Sequence, residues 1–401
     1  MPSSRRRPIV VLAFAELLGM SVWFSASAVV PALTRLWGLS ASGQAWVTMA
    51  VQLGFVIGAL GSAVLNLADR IPGPRLFFIS SSVAAVLTAL LPLLSRGPNT
   101  AVLLRFLAGL SLAGVYPVGM KIMATWTREN RGWGIGLLVG ALTVGSAIPH
   151  LIRAVGGAFD WKLVLYGSAG LATLGGMIAK FFIREGPYRA DSPKFDWKYI
   201  GRIWRQPAIS LANIGYFGHM WELYAMWTWV PVFLIASFKL SGVPEGWASL
   251  AGFAVIAFGG AGCLVAGKLA DRYGRTTVTI ASLAVSGTCS VIVGLLFGGS
   301  PFWLLVVCLI WGFSVVADSA QFSAGISELC PSERTGTALT LQTSLGFLLT
   351  MVTIRLIPSA ERWLGWRWAF ALLAIGPAVG IWAMAKLRRL PESMRMACGR
   401  K

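Results

Sequence analysis

GKLADRYGR, residues 267–275, is a short charged segment that stands between two long apolar stretches. Its central part occurs about 200 residues earlier as LADR, residues 67–70, again between apolar stretches. Two shorter matches keep the same register: RG at 131–132 with TG at 335–336, and DWK at 160–162 with GWR at 365–367. Repeats at this scale indicate that the chain consists of two related halves.

The composition is typical of an integral membrane protein. Hydrophobic residues make up 56% of the 401 positions, and charged residues make up 12%. Apolar stretches of about 18 to 25 residues recur along the chain, and each is long enough to cross a ~30 Å hydrocarbon core as a helix. Because no alternation typical of barrel strands is visible, the sequence predicts an all-α polytopic membrane protein.

Twelve transmembrane helices are predicted, six on each side of a polar segment. The predicted spans are 9–33, 43–66, 75–94, 100–124, 132–152, 161–183, 208–237, 247–267, 276–297, 301–327, 336–357 and 366–387. The predicted domains are an N-terminal six-helix bundle at 1–183, a cytoplasmic linker at 184–207, a C-terminal six-helix bundle at 208–387 and a basic cytoplasmic tail at 388–401.

The net charge of +19 follows the predicted topology. With the N-terminus in the cytoplasm, most Lys and Arg residues fall in or beside cytoplasmic segments, as the positive-inside rule requires. This distribution argues against nucleic acid as a partner and favours the anionic lipids of the inner leaflet. We therefore expect a multi-pass protein of the inner membrane with both termini in the cytoplasm.

The chain lacks the common signatures of cofactor chemistry. Its five cysteines have neither metal-binding nor redox spacing. No Walker-type nucleotide motif is present, so ATP is not the expected energy source. The sequence predicts no metal and no cofactor.

The residues at 267–275 and their repeat resemble those of the major facilitator superfamily. The segment is a full copy of that superfamily's loop signature, placed between spans 8 and 9. The copy at 67–70 is degraded, since Leu65 stands where the leading glycine is expected and residues 71–75 carry an insertion. The resemblance implies two pseudo-symmetric six-helix bundles, with helices 1, 4, 7 and 10 lining a central cavity.

The loop residues are interpreted as a gating cluster that stabilises one conformation of a transport cycle. Gly267 allows two helices to approach closely, and Asp271 can face the positive N-terminus of a neighbouring helix. A solvated turn that only sets the topology is the alternative. The cluster comprises Gly267, Asp271, Arg272, Gly274 and Arg275, with Asp69 and Arg70 as the first-half counterparts.

Two titratable residues interrupt the apolar seventh span. His219 and Glu222 are three positions apart, so they share one helix face. They lie roughly 17 to 22 Å along the span, close to the bilayer midplane. Ionisable residues at this depth are costly and usually mark a transport or proton pathway. We predict that they carry protons or contact substrate, and a static structural pair is the alternative.

The tenth span, which the resemblance also places at the cavity, contains Asp318 and, one turn later, Gln321. Asp318 is the second candidate for binding a proton or a cation, and Gln321 is a candidate for contacting substrate. Structural pairing across helices is the alternative.

Spans 1 and 4 hold the remaining candidates. Arg105 opens RFLAG, residues 105–109, which is similar to a superfamily motif whose Arg is associated with proton coupling. A snorkelling anchor is the alternative for this residue. Glu16 and Lys121 are both expected near the cytoplasmic ends of their spans, where they could pair and hold the inner mouth of one bundle.

Aromatic side chains on these spans are candidates for substrate contact. Trp221 and Trp311 could wall a cavity for a ring-bearing or cationic solute. Tyr224 on span 7 and Tyr116 on span 4 are further candidates. Most other Trp residues lie near span ends, as interfacial residues do.

The sequence thus predicts a monomeric secondary transporter that moves a small solute by alternating access, with Glu222 and Asp318 as the leading proton carriers. A proton-driven efflux pump for lipophilic compounds is the alternative in the same family, and a non-transporting membrane sensor is the alternative from another class. Catalysis is not predicted. HMWE, residues 219–222, lacks the second His of an inverted zinc-protease motif because Leu223 follows.

Overall fold

A computed structural model describes residues 3–127, 131–157, 160–188, 201, 203–331 and 334–400. Nearly all of these residues are helical, and none of them forms a strand. The predicted all-α class is confirmed.

The first half of the chain contains ten α-helices within the described residues. They are α1 (Ser3–Gly19), α2 (Ser25–Ala28), α3 (Val30–Trp37), α4 (Ala41–Val64), α5 (Leu67–Arg70), α6 (Gly73–Leu94), α7 (Pro98–Leu112), α8 (Tyr116–Trp126), α9 (Arg131–Ile152) and α10 (Trp161–Phe182). A single π-helical segment, Arg153–Gly157, continues α9.

From Pro207 onward, the described residues form eight more α-helices. They are α11 (Pro207–Leu240), α12 (Glu245–Tyr273), α13 (Arg275–Ile292), α14 (Pro301–Ala317), α15 (Ser319–Leu329), α16 (Thr335–Leu364), α17 (Trp366–Ala369) and α18 (Ile375–Arg389). Short 3₁₀ segments follow α13 at Val293–Leu296, α17 at Phe370–Ala374 and α18 at Pro391–Gly399.

Eleven helical stretches of the described chain are long and apolar enough to cross a membrane, and they correspond to predicted spans 2 through 12. The first predicted span, 9–33, is not one continuous helix. It is interrupted after α1 by a 3₁₀ turn at Met20–Val22. At this turn, the hydroxyl of Ser21 donates to Leu18 O at 2.7 Å, and that of Ser25 donates to Val22 O at 2.9 Å. Hydroxyl groups that bond back to the preceding turn bend or break helices.

Spans 4 and 10 are also divided, and at corresponding places in the repeat. Span 4 consists of α7 and α8, which are separated by Ala113–Val115, and span 10 consists of α14 and α15, which meet at Asp318. Span 7, in contrast, is the single 34-residue helix α11.

The described residues fall into two compact units. The first comprises Met1–Arg128, Ala141–Arg189 and Thr228–Ala257, and the second comprises Glu129–Gly140, Ala190–Trp227 and Phe258–Lys401. Helices α9, α11 and α12 therefore contribute residues to both units. Residues 189–200 and 202 of the predicted linker lie outside the described part of the chain, and so does Lys401 of the predicted tail. The boundaries of the two bundles stay predictions.

Close helix contacts in both units depend on glycine. In the first unit, a Cβ at Gly109 of α7 would lie 2.0 Å from Val51 O of α4, which no side chain could tolerate. In the second unit, a Cβ at Gly218 of α11 would lie 2.4 Å from Gly376 O. Small residues let membrane helices approach to backbone contact. The contact at Gly218 holds α11 against α18 one residue before His219.

Candidate functional site

A buried polar cluster lies in the second unit, on α11 and the helices packed against it. His219 and Glu222 are each 1% exposed, as is Asp318 from the break between α14 and α15. The two α11 residues are neighbours on one helix face, as their spacing predicts. Each has a different partner.

His219 contacts Asp318. Its Nδ1 lies 2.9 Å from Asp318 Oδ1, which is ion-pair distance, although the two groups do not meet the angular requirement for a hydrogen bond. The imidazole ring also packs against Tyr216 and Phe322, with centroid distances of 5.9 and 5.6 Å. Among the described residues, the only side chain within ion-pair distance of Asp318 is therefore an imidazole that is itself buried among aromatic rings.

The helix break explains how Asp318 reaches this position. Asp318 ends α14 and precedes α15, and its backbone carbonyl accepts from Gln321 N at 2.8 Å. Neither carboxylate oxygen has a hydrogen-bond donor within the described residues. The carboxyl group is thus positioned by the backbone at the helix break, and it faces His219.

Glu222 is held differently, by two neutral donors. Trp311 Nε1–H donates to Oε1 at 2.7 Å, and the hydroxyl of Ser286 donates to Oε2 at 2.8 Å. No Lys or Arg of the described chain pairs with this carboxyl group. Trp311 is itself fully buried and packs edge-on against Phe370 at 5.3 Å. Trp311, predicted to wall a cavity, therefore acts in this structure as a donor that orients Glu222.

The two other aromatic candidates on α11 make packing contacts. Trp221 Nε1–H donates to Leu372 O at 3.2 Å, and the Trp221 side chain lies against Gly376, where an added Cβ would meet it at 2.7 Å. Tyr224 is 4% exposed and contacts Trp227 and Phe347 with its ring. These contacts are those of helix packing.

Gln321 belongs to a second cluster, which includes the loop signature. Its Oε1 accepts from Arg275 Nη1 at 2.7 Å. Arg275 also forms a bidentate pair with Glu328 at 2.7 and 2.6 Å. Arg275 is 3% exposed, so its guanidinium is buried. A bidentate, hydrogen-bonded carboxylate offsets the cost of burying the guanidinium.

The C-terminal tail meets the same cluster. Ala397 N–H donates to Glu328 Oε2 at 3.0 Å, and Arg400 Nη1 donates to Asp271 O at 2.5 Å. Asp271 is also 3.7 Å from Arg275. The loop residues, the end of α15 and the tail are therefore joined by charged contacts.

The glycines of the loop have separate functions. Gly274 has φ = +93°, which disfavours any other residue. A Cβ at Gly267 would lie 3.2 Å from Gly132 O, and one at Gly132 would lie 2.6 Å from Asp271 Oδ1. Asp271 thus lies against the first turn of α9, where the helix dipole favours a negative charge. Arg272 is different, since it covers the ring of Tyr273 at 5.2 Å.

In the first unit, Arg105 stabilises the break after α1. It is 1% exposed and donates from Nη1 to Val22 O at 2.9 Å and from Nη2 to Trp23 O. Its third partner is the hydroxyl of Ser25 at 3.3 Å. The snorkelling alternative is wrong because the guanidinium is buried. These contacts satisfy carbonyl groups that the interrupted helix leaves free.

The expected Glu16–Lys121 pair does not form. Lys121 donates instead to Asp69 Oδ1 at 2.5 Å and to Ala68 O at 2.7 Å. Glu16 is 0% exposed, and neither of its oxygens has a hydrogen-bond partner within the described residues. Asp69 is therefore the acid that holds Lys121. Arg70 is exposed, and Tyr116 is half-buried at the start of α8.

Several partners of the candidate residues were not anticipated. Ser286 carried no sequence signal, since a serine in an apolar span is common. Glu328 could have been found from the sequence, because it follows Gln321 by seven positions and so shares its helix face. Arg153 was not a candidate residue, but it is also engaged: in the first unit it donates to Ala28 O at 2.7 Å and pairs with Glu245.

No group of three or more His, Cys, Asp or Glu side chains that could hold a metal occurs in the described part of the chain. What the structure brings together is a set of buried acids, one imidazole and hydrogen-bond donors. Such groups can bind and release protons or contact a polar solute. Ionisable groups buried in membrane spans commonly mark ion or substrate pathways.

The chain belongs to the major facilitator superfamily. The superfamily's model matches residues 12–354. The chain is accordingly a multi-pass membrane protein and a secondary transporter of small solutes, not an enzyme.

Curated relatives agree with this assignment. The gallate transporter of Pseudomonas putida is 24% identical over 357 residues, covering 79% of this chain and 77% of that protein. The ectoine/proline transporter ProP of Corynebacterium glutamicum is 30% identical over 210 residues, covering 47% and 41%. The 4-hydroxybenzoate transporter PcaK of P. putida is 29% identical over 157 residues, covering 34% and 33%.

Proposed function

We propose that this transporter couples solute movement to protons through Glu222 and the His219–Asp318 pair. The observation that carries the proposal is that two buried carboxyl groups in one unit lack any Lys or Arg partner in the described chain. A charge in such a place is costly, so each carboxyl group is stabilised by binding a proton.

The two acids differ in what a proton changes. At Glu222, protonation removes a charge that only two neutral donors stabilise. At Asp318, a second group that can accept a proton, the His219 imidazole, lies 2.9 Å away. In an alternating-access cycle, binding the proton on one side and releasing it on the other would couple the two fluxes.

The proposed substrates are small solutes that carry a carboxylate. The relatives named above are called transporters of gallate, 4-hydroxybenzoate, and ectoine and proline. All four compounds contain a carboxylate group, although they differ in ring chemistry and net charge. The carboxylate is thus the feature that these relatives' substrates share.

The alternative function, an efflux pump for lipophilic compounds, has less support from the structure than from the sequence. It rested on Trp221 and Trp311 as cavity walls, and both indoles are engaged by other protein groups. Growth of an expressing strain on toxic lipophilic compounds separates the two functions, since only an efflux pump would raise resistance.

We further propose that the protein resides in the inner membrane as a monomer, with both termini in the cytoplasm and anionic lipid against its basic segments. The basic residues support this orientation by their distribution along the sequence.

Gradient-driven transport in proteoliposomes tests the proposed coupling. Radiolabelled gallate, 4-hydroxybenzoate and proline are offered with and without a pH gradient of either sign. We expect at least one of them to accumulate only with the gradient, and both Glu222→Gln and Asp318→Asn to abolish the accumulation. Glu361→Gln, in α16, is the matched control and should transport normally. Undiminished accumulation by both variants would rule out the coupling assignment.

A further inference from the structure

A groove lies between neighbouring ends of α6 and α10 in the first unit. It is lined by Pro72, Pro74, Arg75, Phe78, Ile79 and Lys180 and encloses about 510 Å³. That volume falls within the range of small-ligand pockets, which are about 300 to 1,000 Å³. The groove is remote in sequence from the buried acids, and it contains two cations.

Arg75 and Lys180 are both exposed, and neither pairs with a carboxylate of the described chain. Lys180 Nζ lies over the rings of Phe78 and Phe181, at 4.5 and 5.3 Å from their centroids. The nearby carboxylate of Glu185 is engaged by Gly73 N–H at 3.0 Å. The groove therefore presents two cations that no carboxylate of the described chain pairs with, next to the Glu185 carboxylate that is bonded to Gly73 N–H.

The sequence repeat provides an internal comparison. Arg275, the second-half counterpart of Arg75, is buried and held by Glu328 on α15. The corresponding helix of the first half, α8, has the sequence YPVGMKIMATW and contains no acid. Arg75 thus lacks the partner that its counterpart has, and its charge is available to a ligand from outside the chain.

The residues around the two cations are apolar and exposed. Ile79 is 43% exposed, and Phe181 and Phe182 are each 70% exposed. Because α6 and α10 are membrane spans, exposed apolar side chains on them contact acyl chains. A ligand at this place meets hydrocarbon beside positive charge, which is the chemistry of an anionic phospholipid.

We propose that the groove binds the headgroup of an anionic phospholipid, with its phosphodiester between Arg75 and Lys180 and its acyl chains along Ile79 and Phe181. Basic pockets between membrane helices bind acidic headgroups in this manner. The inference localises the proposed lipid contact to one site. It does not depend on the solute transported or on proton coupling. A negative result for lipid binding would therefore leave the transport proposal standing, and a negative transport result would leave the lipid site standing.

Native mass spectrometry of the delipidated, detergent-purified full chain tests the site. Phosphatidylglycerol and phosphatidylcholine with identical acyl chains are titrated separately, and the first bound lipid is quantified. We expect phosphatidylglycerol to bind roughly tenfold or more tightly than phosphatidylcholine. In Arg75→Gln/Lys180→Gln this preference should disappear, whereas Arg75→Lys/Lys180→Arg should retain it.

Lys386→Gln/Arg389→Gln is the matched control. It also removes two exposed cations at the end of a span, including a lysine that stacks on an aromatic ring, since Lys386 lies 4.5 Å from the Trp382 centroid. The control should keep the full lipid preference. Equal loss in the control, or an unchanged preference in Arg75→Gln/Lys180→Gln, would overturn the site. Displacement of the lipid by an equal concentration of glycerol phosphate would overturn the assignment to phospholipid, because it would show a site for soluble phosphates.

Discussion

His219 Nδ1 and Asp318 Oδ1 lie 2.9 Å apart, and the two side chains are almost completely excluded from solvent. The residues come from different membrane spans and are 99 positions apart in the sequence. A buried imidazole and carboxylate at this distance interact electrostatically, so replacing one of them changes the surroundings of the other.

The first prediction follows from this pair. His219→Gln keeps a polar side chain but removes the second proton acceptor beside Asp318. We expect the rate of substrate exchange, measured in proteoliposomes without a gradient, to lose most of its dependence on pH, because the side chain beside Asp318 can no longer accept a proton. An unchanged pH profile in the variant would show that His219 has only a structural function.

A second prediction concerns the donor to Glu222. Trp311→Phe leaves Oε1 without its hydrogen bond in a buried position, which should cost about 1 to 3 kcal/mol of stability. In a Glu222→Leu background, the same change should cost clearly less, because the acceptor is gone. Thermal unfolding of the four proteins in this double-mutant cycle gives the coupling energy. Equal costs in both backgrounds would contradict the assigned bond.

Arg105 provides a third prediction. Arg105→Met leaves the carbonyls of Val22 and Trp23 without their charged donor, and the expected loss is about 3 kcal/mol or more. Arg105→Lys should lose less, since an ammonium group can still reach one carbonyl. If the residue is structural, folded Arg105→Lys should transport with the same pH dependence as the natural protein. A folded variant that transports solute without protons would instead support a coupling function.

The bidentate pair between Arg275 and Glu328 leads to a fourth prediction. Glu328→Gln removes the bidentate counter-ion of the buried guanidinium, leaves it with the more distant Asp271 at 3.7 Å, and weakens the contact to Ala397 N–H. We expect lower thermal stability and faster proteolysis of the tail. Glu392→Gln, which changes an acid in the tail itself, serves as the control and should behave as the natural protein does. Equal proteolysis of both variants would argue against the pair as a tail anchor.

Cys398 allows a fifth prediction, on orientation. It is exposed, whereas Cys263, Cys289, Cys308 and Cys330 are buried. A membrane-impermeant maleimide should therefore label Cys398 only after cells are broken if the tail is cytoplasmic. Labelling of intact spheroplasts at this residue would reverse the proposed topology, and Cys398→Ser identifies the labelled site.

Much of the architecture was accessible from the sequence because it depends on local properties. Spans 2 through 12 were located from apolar length alone, and the loop segment at 267–275 identified the family. The break after α1 was not predicted, because hydropathy averages over a helix and its interruption. The hydroxyls of Ser21 and Ser25 were the available signal, and the contact of Arg105 with Ser25 and the neighbouring carbonyls comes from another helix.

The candidate site was predicted as a list and not as a set of contacts. His219, Glu222 and Asp318 were correctly predicted to be buried ionisable residues. An ionisable residue within an apolar stretch can be recognised from the sequence alone. The contacts themselves were not predicted: Lys121 pairs with Asp69 and not with Glu16, and Gln321 accepts a hydrogen bond from Arg275. These partners depend on how each helix is rotated and on where α14 ends.

By itself, the sequence determined that this protein crosses the membrane many times, that short motifs recur in its two halves and which spans contain ionisable groups. These properties follow from the length and polarity of individual segments. Only the tertiary structure decided which groups meet. A side chain's partner is set by packing between helices that are distant in sequence. At Asp318 it also depends on a break in the helix, which hydrophobic periodicity does not predict.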